Sequence, residues 1–222
     1  MVGYDNIIKL DKVVDAYLKT LQFPITLGKV YTGLLNYVGV GYQTQSILNS
    51  GYEIDSGFEI EGITGRQVLE WIAECAGGYG YANTEGEIDI KEFGTNTIGL
   101  DNSKYAKYSN GCFNTKKIDK LTIQQDEEDL GISVGSTNGS NVYKIIGNPF
   151  LVATGSNTTQ LTQAANYIFT SIKNITYSTA DITLYQDFGI DVGEYVNVGG
   201  NKHLVLNKQI TNSGVSLSST GN

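Results

Sequence analysis

A chain of 222 residues can bury one large core or two small ones, and an apolar share of 40% against 17% charged excludes a disordered polymer. The formal net charge of −8 excludes a general nucleic-acid binder, which needs clustered Lys and Arg to neutralise phosphates. Twenty-seven glycines against two prolines, with 15 tyrosines and frequent Thr, Val and Ile, point to short strands joined by tight turns. The tyrosines read either as ordinary strand residues or as amphipathic contacts at an assembly surface. Met1-Val-Gly-Tyr-Asp5 turns polar too early for a secretory signal, and no apolar run approaches the roughly 18 residues of a membrane span. Cys75 and Cys112 are too few for a disulfide framework, and both are expected reduced.

In chain order, 4–10 reads as a strand, and 13–21 fits a short helix or a strand equally. Phe23-Pro24 favours extended entry, and Thr26 is placed to cap a helix running to about Val38. Its apolar face is Leu27, Val30, Tyr31, Leu34, Leu35 and Val38, and Gly39-Val-Gly41 ends it. Turns at Asn49-Ser-Gly51 and Asp55-Ser-Gly57 flank expected strands at 52–54 and 58–60. A second helix follows Thr64, with Val68, Leu69, Ile72, Cys75 and Ala76 as its stripe and Gly77-Gly78 as its stop. Tyr79 and Tyr81 then alternate into a strand that turns at Asn83-Thr-Glu-Gly86 and returns through Ile88 and Ile90. Thr26 and Gly39 stand at the same spacing as Thr64 and Gly77, which fits either an internal duplication or the common grammar of helix caps.

Beyond Phe93 the stretch 94–114 is polar and reads as a connection between modules, followed by a strand at 115–125. Strands at 132–134 and 142–146 bracket a turn cluster and read as a hairpin. Leu161, Ala164, Ala165, Ile168, Phe169 and Ile172 mark an amphipathic helix at about 159–173, entered through Thr158-Thr159. Strands at 177–186, before Val198, at 203–209 and at 215–219 complete the chain. The expected fold class is α+β. A small α/β module with two helix-hairpin units spans 1–95, and a β-rich, partial-barrel module carrying the helix at 159–173 spans 96–222.

Three stretches resemble the hub proteins of bacteriophage and prophage tails, a family of baseplate-hub or tail-tip structural proteins. They are Tyr4-Asp-x-x-x-Lys-Leu-Asp-Lys12, Thr64-x-Arg-x-Val-Leu-x-Trp-Ile-Ala73 running into Gly77-Gly78, and Asn148-Pro-Phe-Leu151 before a helix. Asp187-Phe-Gly-Ile-Asp-Val-Gly-Glu194 is similar to the segment that precedes a barrel strand in that family, with Glu194 where many relatives carry Asp. The resemblance implies a virion structural subunit, assembled in the bacterial cytoplasm into a ring that is typically trimeric. Its partners would be copies of itself and other tail proteins, and it would join the tail tube to receptor-binding or wall-degrading parts. In the family the first motif follows earlier strands, so the resemblance also implies a barrel edge left open here, with any peptidase or lysin region lying downstream.

Chemistry is sparse. His203 is the sole histidine, has no zinc-type partner spacing, and reads as a strand histidine. Glu59, Glu61, Glu85, Glu87 and Asp89 offer pairs of carboxylates, but acids in strands ordinarily form a solvated face. Asp126-Glu-Glu-Asp129 lacks the alternating spacing of a calcium loop and reads as a solvated turn. Gly77-Gly-Tyr-Gly80 follows a helix where a phosphate loop would precede one. Asn138, Asn157 and Asn174 sit in glycosylation acceptor patterns that matter only on a eukaryotic secretory route. The expectation is therefore no catalytic residue, no cofactor, no metal, no specific nucleic-acid partner and no membrane insertion. The alternative from another class is a carbohydrate- or cell-wall-binding module using exposed tyrosines.

Overall fold

The sequence places its strongest stop signals after two helices, and both helices form there. A computed structural model describes residues 6–42, 47–55, 57–83, 85–153, 158–212 and 214–220. Tyr4, Thr84, Asn157 and the side chain of Cys112 lie outside the described residues.

Helices α2 (Leu27–Val38) and α3 (Gly65–Ala76) each end on a glycine in the left-handed region, Gly39 at φ 78° and Gly77 at φ 67°. Their starts differ. Thr64 closes a capping box with Gln67, each side chain meeting the other residue's backbone N–H. Thr26 has the extended geometry of an N-cap, but its hydroxyl makes no capping bond. The first N–H groups of α2 instead meet the carbonyls of Tyr52 and Ser50, at 2.8 and 2.9 Å. Capping by Thr26 is thus corrected: the neighbouring backbone does that work.

The chain divides into two units. The first comprises 1–91 with 118–173. Its opening segment Asn6–Asp11 is a 3-10 helix, where a strand was expected, because Leu10 is fully buried beneath α3 while Ile8 and Lys9 face outward. The ambiguous stretch that follows settles as a one-turn helix, α1 (Asp15–Leu18). Strands β1 (Ile25–Thr26) and β2 (Glu53–Ile54) pair antiparallel, but 57–60 forms no strand. Strands β3 (Gly78–Ala82) and β4 (Ile88–Glu92) make the expected hairpin, with the Asn83 carboxamide oxygen accepting from the N–H groups of Glu85 and Glu87.

Also in this unit, β7 (Lys120–Gln124) lies between β8 (Ile132–Gly135) and β9 (Val142–Ile146), antiparallel to the first and parallel to the second. The expected hairpin of β8 with β9 is therefore not formed. The apolar run Leu121 to Ile123 is buried and takes the central place, which a strand covered on both faces requires. Helix α4 (Thr158–Ile172) buries Leu161, Ala164, Ala165, Ile168 and Ile172 against β7, β8 and α3. The sequence assigns this helix to the module 96–222, whereas its packing places it in the first unit.

The second unit comprises 92–117 with 174–222. The stretch expected to be a mere connection holds β5 (Thr97–Leu100) and the ten-residue β6 (Tyr105–Asn114). Of β6, Tyr105 and Tyr108 reach the core while Ala106, Lys107, Ser109 and Asn110 are exposed, so its composition reads as loop. One sheet runs β13 (Asn207–Thr211), β14 (Gly214–Ser218), β10 (Ser178–Leu184), β6; the other runs β12 (Asn201–Leu204), β11 (Tyr195–Val198), β5. The single strand expected at 203–209 is two, interrupted where Val205 turns into the core. Ala180, Ile182, Leu184, Val215 and Leu217 from the first sheet share one core with Leu100, Val196 and Val198 from the second. Among the described residues these sheets do not close into a barrel, and the whole is an α+β fold.

Candidate functional site

The three motif stretches converge on α3. Arg66 donates from Nε to Asp11 at 2.5 Å and reaches the carbonyl of Ile7 at 3.4 Å, which joins the first motif to the second. The same guanidinium holds the Asp11 carboxyl below its usual range, chiefly by its hydrogen bond. Further along the same helix the third motif is knotted in. Asn148 is buried, and its Nδ2 donates to the Trp71 carbonyl at 3.0 Å and to Glu74 Oε2 at 2.9 Å. Its Oδ1 accepts from Phe150 N–H at 2.9 Å, which fixes the turn. Gln125 closes the far side by donating to the carbonyls of Asn148 and Leu151, at 3.3 and 3.0 Å. Burial pushes the Glu74 carboxyl up, the Asn148 hydrogen bond opposes the shift, and Glu70 adds to it.

Phe150, at 1% exposure, is the floor of an aromatic group. Phe58, Trp71 and Phe150 meet edge to face, with centroids 5.7 Å apart for Phe58 and Trp71, 5.6 Å for Trp71 and Phe150, and 5.5 Å for Phe58 and Phe150. Nothing in the spacing of these residues signals the group, because Phe58, Trp71 and Phe150 come from three separate stretches of the chain that no local pattern joins.

The tyrosines divide between two roles. Tyr17, Tyr31 and Tyr52 are buried struts whose hydroxyls donate to the carbonyls of Val30, Ile88 and Phe150, all within 2.9 Å. Burial pushes each of these phenols up, that of Tyr17 to about 12. Tyr143, Tyr167 and Tyr185 are exposed at the surface.

The candidate chemical groups are placed as follows. His203 is fully buried in the second unit, with Nδ1 2.8 Å from the Ser178 carbonyl and Nε2 2.9 Å from the Tyr108 hydroxyl. A carbonyl only accepts, so Nδ1 carries the proton, and in the neutral ring Nε2 accepts from Tyr108. Both nitrogens are spent inside the core, as a strand histidine requires. Glu59 and Glu61 share the rim of one groove, whereas Glu85, Glu87 and Asp89 lie on the β3–β4 hairpin. In the acidic run, Asp126 accepts from the N–H groups of Glu128 and Asp129, and Asp129 accepts from those of Gln125 and Gly131. These backbone bonds hold the Asp129 carboxyl below its usual range and make the run the turn between β7 and β8. Among the described residues no group of three or more His, Cys, Asp or Glu could hold a metal ion, and no helix is long and apolar enough to cross a membrane.

With this geometry in place, comparison with solved structures finds the 43 kDa tail protein of prophage MuSo2 from Shewanella oneidensis. At 14% identity the alignment covers 98% of this chain and 71% of that one, with a TM-score of 0.54. The chain shares its fold with a prophage tail protein. The resemblance drawn from the three motifs is met at the level of fold. Lower similarities, with TM-scores of 0.45 and 0.46, are found to a tail protein from Neisseria meningitidis MC58 and to prophage tail protein gp18 from Listeria monocytogenes EGD-e. The first is 13% identical over 88% of this chain and 67% of that one; the second is 12% identical over 95% and 68%. No family model and no curated protein matches the sequence.

Proposed function

We propose that this chain is a structural subunit of a phage or prophage tail, positioned at the tail tip or baseplate hub. There it joins the tail tube to receptor-binding or wall-degrading components, and it acts by contact geometry without catalysis. The observation that carries this reading is the likeness to a prophage tail protein over 98% of the chain. Two further features support it. The sole histidine is consumed by core hydrogen bonds, and among the described residues the sheets of the second unit keep free edges on which a neighbour can pair. Strand β13 is such an edge, with Ile210 exposed on it. The proposed assembly is a threefold ring, in which each contact is heterologous and the ring closes only if the rotation between subunits is right. The test is deletion of the encoding stretch from its phage or prophage. Tails should then fail to assemble or lack their tip, and expression in trans should restore them. A normal yield of intact, infectious particles from the deletion would overturn the proposal.

A further inference from the structure

Against the aromatic group of the first unit lies an open groove of about 500 Å³, whose lining includes Phe58, Trp71, Pro149, Glu59 and Glu61. Its floor is rigid for stated reasons. The Trp71 carbonyl is held by Asn148 at 3.0 Å, and the indole packs edge to face on Phe58 and on Phe150. Three polar groups remain unspent. Among the described residues the indole N–H has no hydrogen-bond partner, and neither exposed carboxylate, Glu59 or Glu61, makes a hydrogen bond or an ion pair. Among the described residues no lysine, arginine or histidine lines the groove.

We propose that this groove docks an extended segment of a partner protein that carries arginine or lysine beside proline or other aliphatic residues. Each part of the lining has a counterpart in such a segment. An indole face is the best aromatic acceptor for a guanidinium or ammonium group, and it takes up the flat faces of proline rings equally well. The indole N–H meets a backbone carbonyl of the extended chain, which has no internal partner for it. Glu59 and Glu61 then face the cationic side chain. Two negative charges with no compensating cation disfavour an anionic segment by like-charge repulsion. The inference stands on the groove alone and does not depend on the tail reading.

Trp71 is the sole tryptophan, so the intrinsic emission of the chain reports directly on the groove. The experiment titrates the purified chain with a ten-residue Arg-Pro peptide, an Asp-Pro peptide of equal length, and a chitin oligosaccharide. The proposal expects a saturable emission change with the basic peptide only, weakening as salt is raised. The double variant Glu59→Gln with Glu61→Gln should bind about three- to tenfold more weakly, the scale of two rim charges. Both positions are exposed, so this variant should melt with the parent. Three outcomes would overturn the proposal: no saturable response to the basic peptide, an equal response to the acidic one, or a response to the oligosaccharide alone, which would mark a sugar site instead.

Discussion

The carboxamide of Asn148 lies 2.9 Å from the carboxylate of Glu74 and donates to it, while the same nitrogen holds the Trp71 carbonyl one turn earlier on α3. A single buried side chain thus ties the turn after β9 to the central helix of the first unit. Removing it leaves two acceptors without their donor, and a buried polar group left unmade is more costly than a bond is beneficial. Asn148→Ala should therefore lower stability by about 1–3 kcal/mol in urea unfolding. Asn148→Asp should be worse at pH 7, since it sets a second carboxylate against Glu74, and should recover part of that loss in acid. Equal stability of both variants and the parent would show that the knot is ornamental.

Glu74 itself gives a pH signature. Its folded pKa is raised, chiefly by burial, so over the interval above the ordinary glutamate value of about 4.3 the folded state holds the proton more tightly than the unfolded one. Stability contributed by the protonated group is present at low pH and is lost as pH rises through the folded pKa. Glu74→Gln should accordingly melt above the parent near pH 7 and converge with it near pH 4, as followed by thermal denaturation at several pH values. A parent melting curve that tracks the variant at every pH would remove Glu74 from the account.

Neighbouring positions on α4 separate core from surface. Ile168 is 1% exposed and Tyr167 61% exposed. Ile168→Ala should cost about 2–5 kcal/mol as a core truncation. Tyr167→Ala should stay within about 0.5 kcal/mol, the range of an ordinary surface site. The same measurement on Leu69→Ala in α3 should follow Ile168.

The histidine has a structural signature in the second unit. Tyr108→Phe keeps the ring contact with His203 and deletes only the hydroxyl at 2.9 Å. A loss of about 0.5–1.5 kcal/mol in chemical unfolding is the expected outcome. Purified chain should release nothing from peptidoglycan or wall polysaccharide, and fragments whose release His203→Ala abolished would point to chemistry at that ring.

What was legible in the residues follows from how each element is held. Helices α2, α3 and α4 are two-sided objects with a covered stripe, so their spacing marks them within a residue or two, and α2 and α3 also carry glycine stops. Strand β6 escaped because, among its described side chains, Tyr105 and Tyr108 turn inward while polar residues face outward. The order β8-β7-β9 escaped because a turn cluster between two apolar runs fits a hairpin, and only the burial of Leu121 to Ile123 shows that another strand lies between them. The start of α2 misled for a related reason, since the carbonyls that cap it come from residues 50 and 52, beyond any local pattern. Of the surface features, Glu59 and Glu61 were visible only as a carboxylate pair. Their place on the rim of a groove floored by Trp71 depends on a turn nearly ninety residues later in the chain, at Pro149.

The central claim, that this chain is a structural part of a phage tail tip, is tested most directly by counting it in assembled particles. Tails released from the encoding phage or induced prophage would be purified to homogeneity, and the ratio of this chain to the tube subunit would be measured by quantitative mass spectrometry. The account predicts a fixed, small copy number per particle, a multiple of three, with antibody labelling confined to one end of the tail. Its absence from purified particles, or labelling spread along the whole tube, would contradict it.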